Sequence, residues 1–323
     1  MAFLEVKNLE VEFQVDKQPV IPLKGVSFDM NEGEVLGIVG ETGSGKSLTA
    51  HAIMGLSAMS GGKIRGSVKF ADQSLLELSE KAMQSIRGSQ IAFIPQNPMT
   101  SLDPVYRVGA QIMEGLLNHT DLNKTQAKQQ VLDIMGKLNI PKPEHVFQQY
   151  PHELSGGLKQ RIVIAMGLCA KPRLLIADEP TTALDVTVQA QIVRLFKEIT
   201  VSEGIGLLLI THDLGVIAQI CDKVAVMYAG NLVEFARIES LFETPRHPYT
   251  QALLNCIPSI GMERGSLSAI DGNVPSATSC PEGCPFHPRC PHSYSTCEST
   301  IPTLIQIEGG ARVACHLYQE KQE

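Results

Sequence analysis

Apolar residues arrive along this chain in two rhythms. Short unbroken runs, Val35-Leu36-Gly37-Ile38-Val39, Ile91-Ala92-Phe93-Ile94, Leu174-Leu175-Ile176-Ala177 and Leu207-Leu208-Leu209-Ile210, are bounded by charge, glycine or proline. Runs of that length and composition predict strands buried on both faces. Residues 3–13 alternate partially instead, as extended chain does, and residues 25–30 are the expected partner strand. Residues 67–70 predict a further short strand, and residues 224–228 a last one before Gly230. The second rhythm is helical. It predicts helices near 46–54, over 158–168 and over 186–201, and from Asn97 to about Ala170 it gives helical segments parted by proline-bearing loops. That stretch reads as a mainly helical insert within the unit formed by the buried strands.

Between the run ending at Val39 and the helix beginning near Lys46 stands Gly40-Glu41-Thr42-Gly43-Ser44-Gly45-Lys46-Ser47. A glycine, four residues, then glycine, lysine and serine, set after a strand and before a helix, is the pattern of a phosphate-binding loop. The glycines let successive backbone N–H groups approach phosphate oxygens, Lys46 adds a point charge, and the helix N-terminus presents its positive dipole end. Ser47 is the expected Mg²⁺ ligand. A nucleoside triphosphate with Mg²⁺ is therefore the expected ligand.

Other polar groups stand at the ends of apolar runs. Asp178 and Glu179 close the run over 174–177, the strand end where ligands gather in open parallel α/β sheets. Asp178 is the expected holder of Mg²⁺, and Glu179 is placed to orient or deprotonate an attacking water. His212 follows the run over 207–210, either as a structural histidine or as a hydrogen-bond partner of a terminal phosphate. Leu154-Ser155-Gly156-Gly157 opens an apolar-periodic helix, so Ser155 caps it and bare backbone donors make a second anion site, or the motif is a cap alone. Phe13 is either a core aromatic or a platform on which a nucleobase stacks.

Composition narrows the class. The 323 residues allow a large core plus an appendage, 43% hydrophobic content with 19% charge is that of a globular protein, and no apolar run approaches a bilayer's width. The first six residues lack a basic and then apolar leader, which predicts a cytoplasmic protein. A net charge of −7 makes nucleic acid a poor partner. Of eight cysteines, Cys169, Cys221 and Cys256 sit among apolar neighbours and read as small core residues. The other five, Cys280, Cys284, Cys290, Cys297 and Cys315, crowd the end of the chain, where a reducing compartment favours metal over disulfides. Their thiolates suit an iron–sulfur cluster or structural zinc, and the spacing does not choose between them.

Taken in order, the phosphate loop, Gln96, Leu154-Ser155-Gly156-Gly157, Asp178-Glu179, Asp185 and His212 resemble an ATP-binding-cassette ATPase. Gln96 to Pro104, Met227 to Gly230 and Arg246-His247-Pro248-Tyr249-Thr250 narrow the resemblance to the ATPase subunits of dipeptide, oligopeptide and nickel importers. It covers essentially the whole chain. Leu158, where Gln or Met is common, and Pro95, where Phe is usual, depart from the pattern without removing a functional group. The resemblance implies an α/β fold: a RecA-like nucleotide-binding domain over 1–240, with an antiparallel β subdomain and a helical signature subdomain near 97–170, then a small Cys-rich domain over 241–323. It implies ATP bound by Gly40, Glu41, Thr42, Gly43, Ser44, Gly45, Lys46, Ser47, Leu48, Gln96 and Asp178, with Phe13 on adenine. Mg²⁺ would be held by Ser47, Gln96 and Asp178, and Lys46, Gln96, Glu179 and His212 would carry catalysis. Ser155, Gly156 and Gly157 would meet the ATP of a second, non-identical ATPase subunit, with Asp185 communicating across the pair.

The other implied partners are two transmembrane permeases, which hold the chain peripherally at the cytoplasmic face of the membrane, and, indirectly, a substrate-binding protein. A [4Fe–4S] cluster is implied on Cys284, Cys290, Cys297 and Cys315, with zinc the alternative. The cargo expected is di- or oligopeptide, with nickel or a metal chelate as the alternative. A soluble ATP-binding-cassette protein acting on DNA or ribosomes is the reading from another class, but the single cassette, the negative charge and the absence of a heptad run count against it. A phosphate-loop GTPase or kinase leaves the Ser155 helix start unexplained.

Overall fold

The computed structural model describes residues 2–182, 184–257 and 270–319; of the 241–323 segment, residues 258–269 and 320–323 lie outside it. Its strands are β1 (Leu4–Val15), β2 (Gln18–Met30), β3 (Val35–Val39), β4 (Lys63–Phe70), β5 (Gln73–Ser74), β6 (Ile91–Ile94), β7 (Leu174–Asp178), β8 (Gly206–Ile210), β9 (Lys223–Tyr228), β10 (Asn231–Arg237), β11 (Ile305–Gln306) and β12 (Arg312–Val313). The chain divides into two compact units, one of Met1–Asn31, Val35–Glu77 and Thr211–Glu323, the other of Glu32–Glu34 and Leu78–Ile210.

The first unit holds two sheets. Its antiparallel sheet runs β2-β1-β4-β5, with Leu4 opposite Met30 on one side and Phe70 on the other, so the partial alternation of residues 3–13 is that of a central strand. The other sheet is mixed. β3 lies parallel to β9 with Ile38 opposite Ala225, β10 returns antiparallel to β9, and β12 pairs with β10 through Val313 and Glu234. Every residue of β3 is buried, as a run without polar interruption requires.

Residues 224–228 are therefore not the last strand of this unit. Ala229 and Gly230 both take positive φ, 45° and 81°, which is what a two-residue hairpin turn needs, and β10 follows at once. Gly230 turns the chain where the sequence had suggested it ended the strand.

The second unit carries a parallel trio, β6 beside β7 beside β8, with Ile94 opposite Ala177 and Asp178 opposite Ile210. Chain between β6 and β7 is helical: Val108–His119, Lys124–Lys137 and Gly156–Leu168 are its longer members. The helix Val186–Glu203 links β7 to β8. Asn123 caps its helix through a full capping box with Gln126, and Asp185 caps the last one by accepting from the Val188 amide at 3.0 Å. Among the described residues no helix is long and apolar enough to cross a membrane.

Candidate nucleotide-binding site

In the first unit β3 delivers the glycine loop. Gly40 has φ of 153°, and a Cβ there would stand 2.2 Å from the Met227 carbonyl oxygen, so only glycine lets the loop lie on the backbone of β9. Gly45, at φ 100°, is the N-cap of the helix Lys46–Ile53. The hairpin tip supports the loop from beneath, with the Gly230 amide donating to the Ser44 carbonyl at 2.9 Å. Lys46 Nζ donates to the Gly40 and Glu41 carbonyls at 2.8 and 3.0 Å, which curls the loop around its own cation. The Ser44 hydroxyl is buried and has no hydrogen-bond partner among the described residues. A buried orphan hydroxyl in a loop of glycines is a group waiting for an acceptor, which suits a phosphate oxygen.

His212 also belongs to this unit and is exposed, one residue before Asp213, which caps the helix Leu214–Ile220. Phe13 is half-buried on β1 opposite Val20, with its ring edge against Gly62, so it is not one of the core aromatics.

In the second unit, Asp178 ends β7 and is almost wholly buried. Glu179 follows with φ of 45°, a conformation that costs a non-glycine residue about 1–3 kcal/mol and persists only when its surroundings enforce it. Those surroundings are visible. The Glu179 amide donates to the Ile210 carbonyl at 2.8 Å, while its carboxylate accepts from Gln96 Nε2 at 3.0 Å and from the Thr182 hydroxyl at 2.8 Å. The structure thus joins two residues that the sequence separates by 83 positions, and it adds Thr182, which sequence reading missed.

The Ser155 side chain accepts from the Leu158 amide at 3.4 Å as the N-cap of a helix that begins at Gly156, two residues before the expected start. Ser155 and Gly156 are exposed and open space surrounds Gly156, so the helix N-terminus is presented to the outside.

The four C-terminal cysteines expected to act together line one small cavity, in the company of Phe286 and His316; Cys280 is not among its lining residues. Burial, and to a lesser degree their mutual proximity, pushes the Cys284 and Cys315 thiols up to about 11 and that of Cys290 in the same direction, so the uncharged thiol is the favoured form. The donor chemistry of a cluster is therefore gathered in one place. Its ligand geometry is not: among the described residues no group of three or more Cys, His, Asp or Glu side chains is arranged to hold a metal ion. The expected cluster, or zinc, is uncorroborated on that ground.

Sequence reading also gave no role to Tyr249 and Arg289, both of which reach the loop. The Tyr249 hydroxyl accepts from the Glu41 amide at 2.9 Å, and Arg289 pairs with the Glu41 carboxylate. Tyr249 stands in Arg246-His247-Pro248-Tyr249-Thr250, which is a signal; Arg289, inside the cysteine run, gives none.

The chain matches the ABC transporter family over residues 23–182 and the family described as "Oligopeptide/dipeptide transporter, C-terminal region" over residues 233–297. It is 46% identical to the oligopeptide transport ATP-binding protein AppD of Bacillus subtilis, over 98% of this chain and 97% of that one. It is 44% identical to the dipeptide transport ATP-binding protein DppD of Escherichia coli, over 98% and 97%. Among solved structures, a dimeric post-hydrolysis state of the ATP-binding cassette MJ0796 bound to ADP and Pi superposes with a TM-score of 0.66 at 24% identity, covering 73% of this chain and 98% of that one, which establishes the fold. Matched by both family models and 44–46% identical to peptide-transport ATP-binding proteins over nearly its whole length, the chain belongs to the ATP-binding proteins of ABC transporters, in the oligopeptide/dipeptide branch.

Proposed function

We propose that this chain is the ATP-hydrolysing subunit of a membrane importer of di- or oligopeptides. The observation that carries the reading is the near end-to-end match to peptide-transport ATP-binding proteins, in a chain whose loop and strand-end carboxylates are intact. Those relatives are named for peptides, which favours peptide over nickel as cargo.

In this reading the backbone from Gly40 to Leu48 cradles the phosphates and Lys46 leaves the loop carbonyls for phosphate oxygens. The oxygen donors Ser47, Asp178 and Gln96 suit Mg²⁺, which when bound supplies charge neutralisation on the phosphates. Glu179 takes the proton of the attacking water, and its bonds to Gln96 and Thr182 fix the direction in which it does so. His212 hydrogen-bonds the terminal phosphate, and Phe13 stacks on adenine.

Ser155, Gly156 and Gly157 present their helix N-terminus to ATP held by a second, non-identical ATPase subunit, and Asp185, besides capping its own helix, communicates across that pair. Two transmembrane permeases anchor the chain peripherally at the cytoplasmic face. Met99, Val105 and Tyr106, large and exposed just beyond Gln96, give the permeases an apolar surface to dock on. A binding protein meets the permeases, not this chain. The domain division is 1–240 for nucleotide and 241–323 for the C-terminal domain, with the helical subdomain near 97–170. Cys284, Cys290, Cys297 and Cys315 would hold a [4Fe–4S] cluster, or zinc in its place, which would supply a cross-link among C-terminal segments. Iron, zinc and acid-labile sulfide in anaerobically purified protein decide this; four irons and four sulfides per chain are expected, and absence of both metals refutes it.

The test of the catalytic assignment is Glu179→Gln. This variant is expected to keep ATP affinity while turnover drops at least about a hundredfold, the usual range for losing a general base. Hydrolysis at the normal rate would remove Glu179 from that role.

A further inference from the structure

A phosphate-loop pattern leaves its second position free, and an acid there is a poor neighbour for a triphosphate, since like charges a few ångströms apart repel strongly near a protein surface. This chain nevertheless carries Glu41. The structure shows what has become of its charge. Arg289 forks onto it, with one guanidinium nitrogen 3.0 Å from Oε1 and the other 3.1 Å from Oε2. The same guanidinium donates to the Tyr228 hydroxyl at 3.2 Å, to the Asp271 carbonyl at 2.8 Å and to the Ile270 carbonyl at 3.2 Å. The Arg289 side chain is only 6% exposed and that of Glu41 29%, so the pair is part-buried and less screened by salt than a fully exposed one.

The main chain of Glu41 is held as well. Its amide donates to the hydroxyl of Tyr249, a fully buried ring packed edge-on against Tyr228 at 4.6 Å and tilted against Phe286 at 5.3 Å. The carbonyl of the same residue accepts from Lys46. One residue of the loop is thus gripped three times: its side chain by Arg289, its amide by Tyr249, its carbonyl by the loop lysine. Two of the three grips come from chain far beyond the loop, from the C-terminal part of the first unit.

We propose that Arg289 and Tyr249 are positioning residues for ATP binding: Arg289 cancels the Glu41 charge beside the triphosphate, Tyr249 fixes the Gly40–Glu41 peptide at the start of the loop, and the C-terminal segment thereby sets the affinity of the phosphate loop. Neither touches the reacting atoms. The proposal rests on the ATP-binding reading above and adds a determinant of affinity to it.

The experiment measures MgATP affinity by titration, and KM and kcat for hydrolysis, on the purified full chain. Arg289→Met should weaken MgATP roughly tenfold and raise KM in step, with kcat within about twofold, because an uncancelled carboxylate opposes ligand charge rather than the chemical step. Adding Glu41→Gln to Arg289→Met should recover most of the lost affinity, which a purely architectural role for Arg289 would not allow. Should Arg289→Met fail to fold, Tyr249→Phe, judged by its melting curve, reads the main-chain grip, and the same direction of change is expected. Unchanged affinity in the folded single variants, or a double variant as weak as Arg289→Met alone, would overturn the proposal. Wild-type protein that bound no ATP at all would instead strike at the nucleotide-site reading.

Discussion

Glu179 and Gly40 show how single residues are bent to a task. Glu179 sits at positive φ just past a buried strand, and two side-chain donors converge on its carboxylate and set its direction. Gly40 has a different constraint, the carbonyl oxygen of Met227 where any side chain would begin. Backbone cannot swing aside as a side-chain tip can. Gly40→Ala should therefore displace the loop, lowering MgATP affinity at least about tenfold and reducing the melting temperature, since forced left-handed backbone costs about 1–3 kcal/mol before the clash is counted. Nucleotide titration and thermal unfolding check this, and wild-type values in both would show that the loop tolerates a Cβ.

Helix starts are the element at which this chain spends its polar residues. Asn123, Ser155, Asp185 and Asp213 each accept from the first turn of the helix they open, as short oxygen-bearing side chains do. His247 is the unusual cap. Its Nδ1 accepts from the Tyr249 amide at 3.0 Å at the start of the helix Pro248–Asn255, which it can do only while that nitrogen is unprotonated. Burial pushes its pKa down to about 3.

The sign of the consequence is fixed. The unfolded chain takes up this proton near pH 6.5 and the folded chain only near 3, so the stability that neutral His247 contributes is complete above about 6.5 and drains away as pH falls between those values. At pH 5 the loss is about 2 kcal/mol. His247→Asn keeps an acceptor for the cap and removes the titration. Denaturant midpoints for both proteins between pH 7.5 and 5 should converge or cross as pH falls; parallel curves would mean that His247 is not the group responsible. Buried Glu234, raised by desolvation, shifts stability the opposite way; it accepts from the His247 main-chain amide at 2.8 Å, a bond that His247→Asn keeps.

At the scale of the whole molecule, chain order and spatial order part company. Glu41 and Arg289 are 248 residues apart and share two hydrogen bonds. The two-residue strand β12 reaches back to β10, bringing the C-terminal segment onto the sheet that carries the loop. Nothing local announces such contacts: a two-residue strand has no periodicity to detect, and an arginine between a proline and a cysteine has the same sequence signature whether it faces solvent or a partner. The buried strands, by contrast, were legible because each is an uninterrupted apolar run, and the glycine loop because its chemistry is carried by consecutive residues. The start of the helix at Gly156 and the hairpin at Ala229-Gly230 fell between. The hairpin needs positive φ at Ala229 and Gly230, which glycine permits without requiring, and the helix start depends on whether Ser155 or a later residue takes the cap.

By itself the sequence determined which segments are buried, where the phosphate loop, the strand-end acids and the serine-capped helix lie, and the order in which they come. These are local properties, written in hydrophobic period and in runs of a few residues. Tertiary structure alone decided that Gln96 and Thr182 hold Glu179, and that Arg289 and Tyr249 grip Glu41. The physical reason is that a hydrogen bond or ion pair depends on distance and direction in space, and chain separation fixes neither until the core has packed.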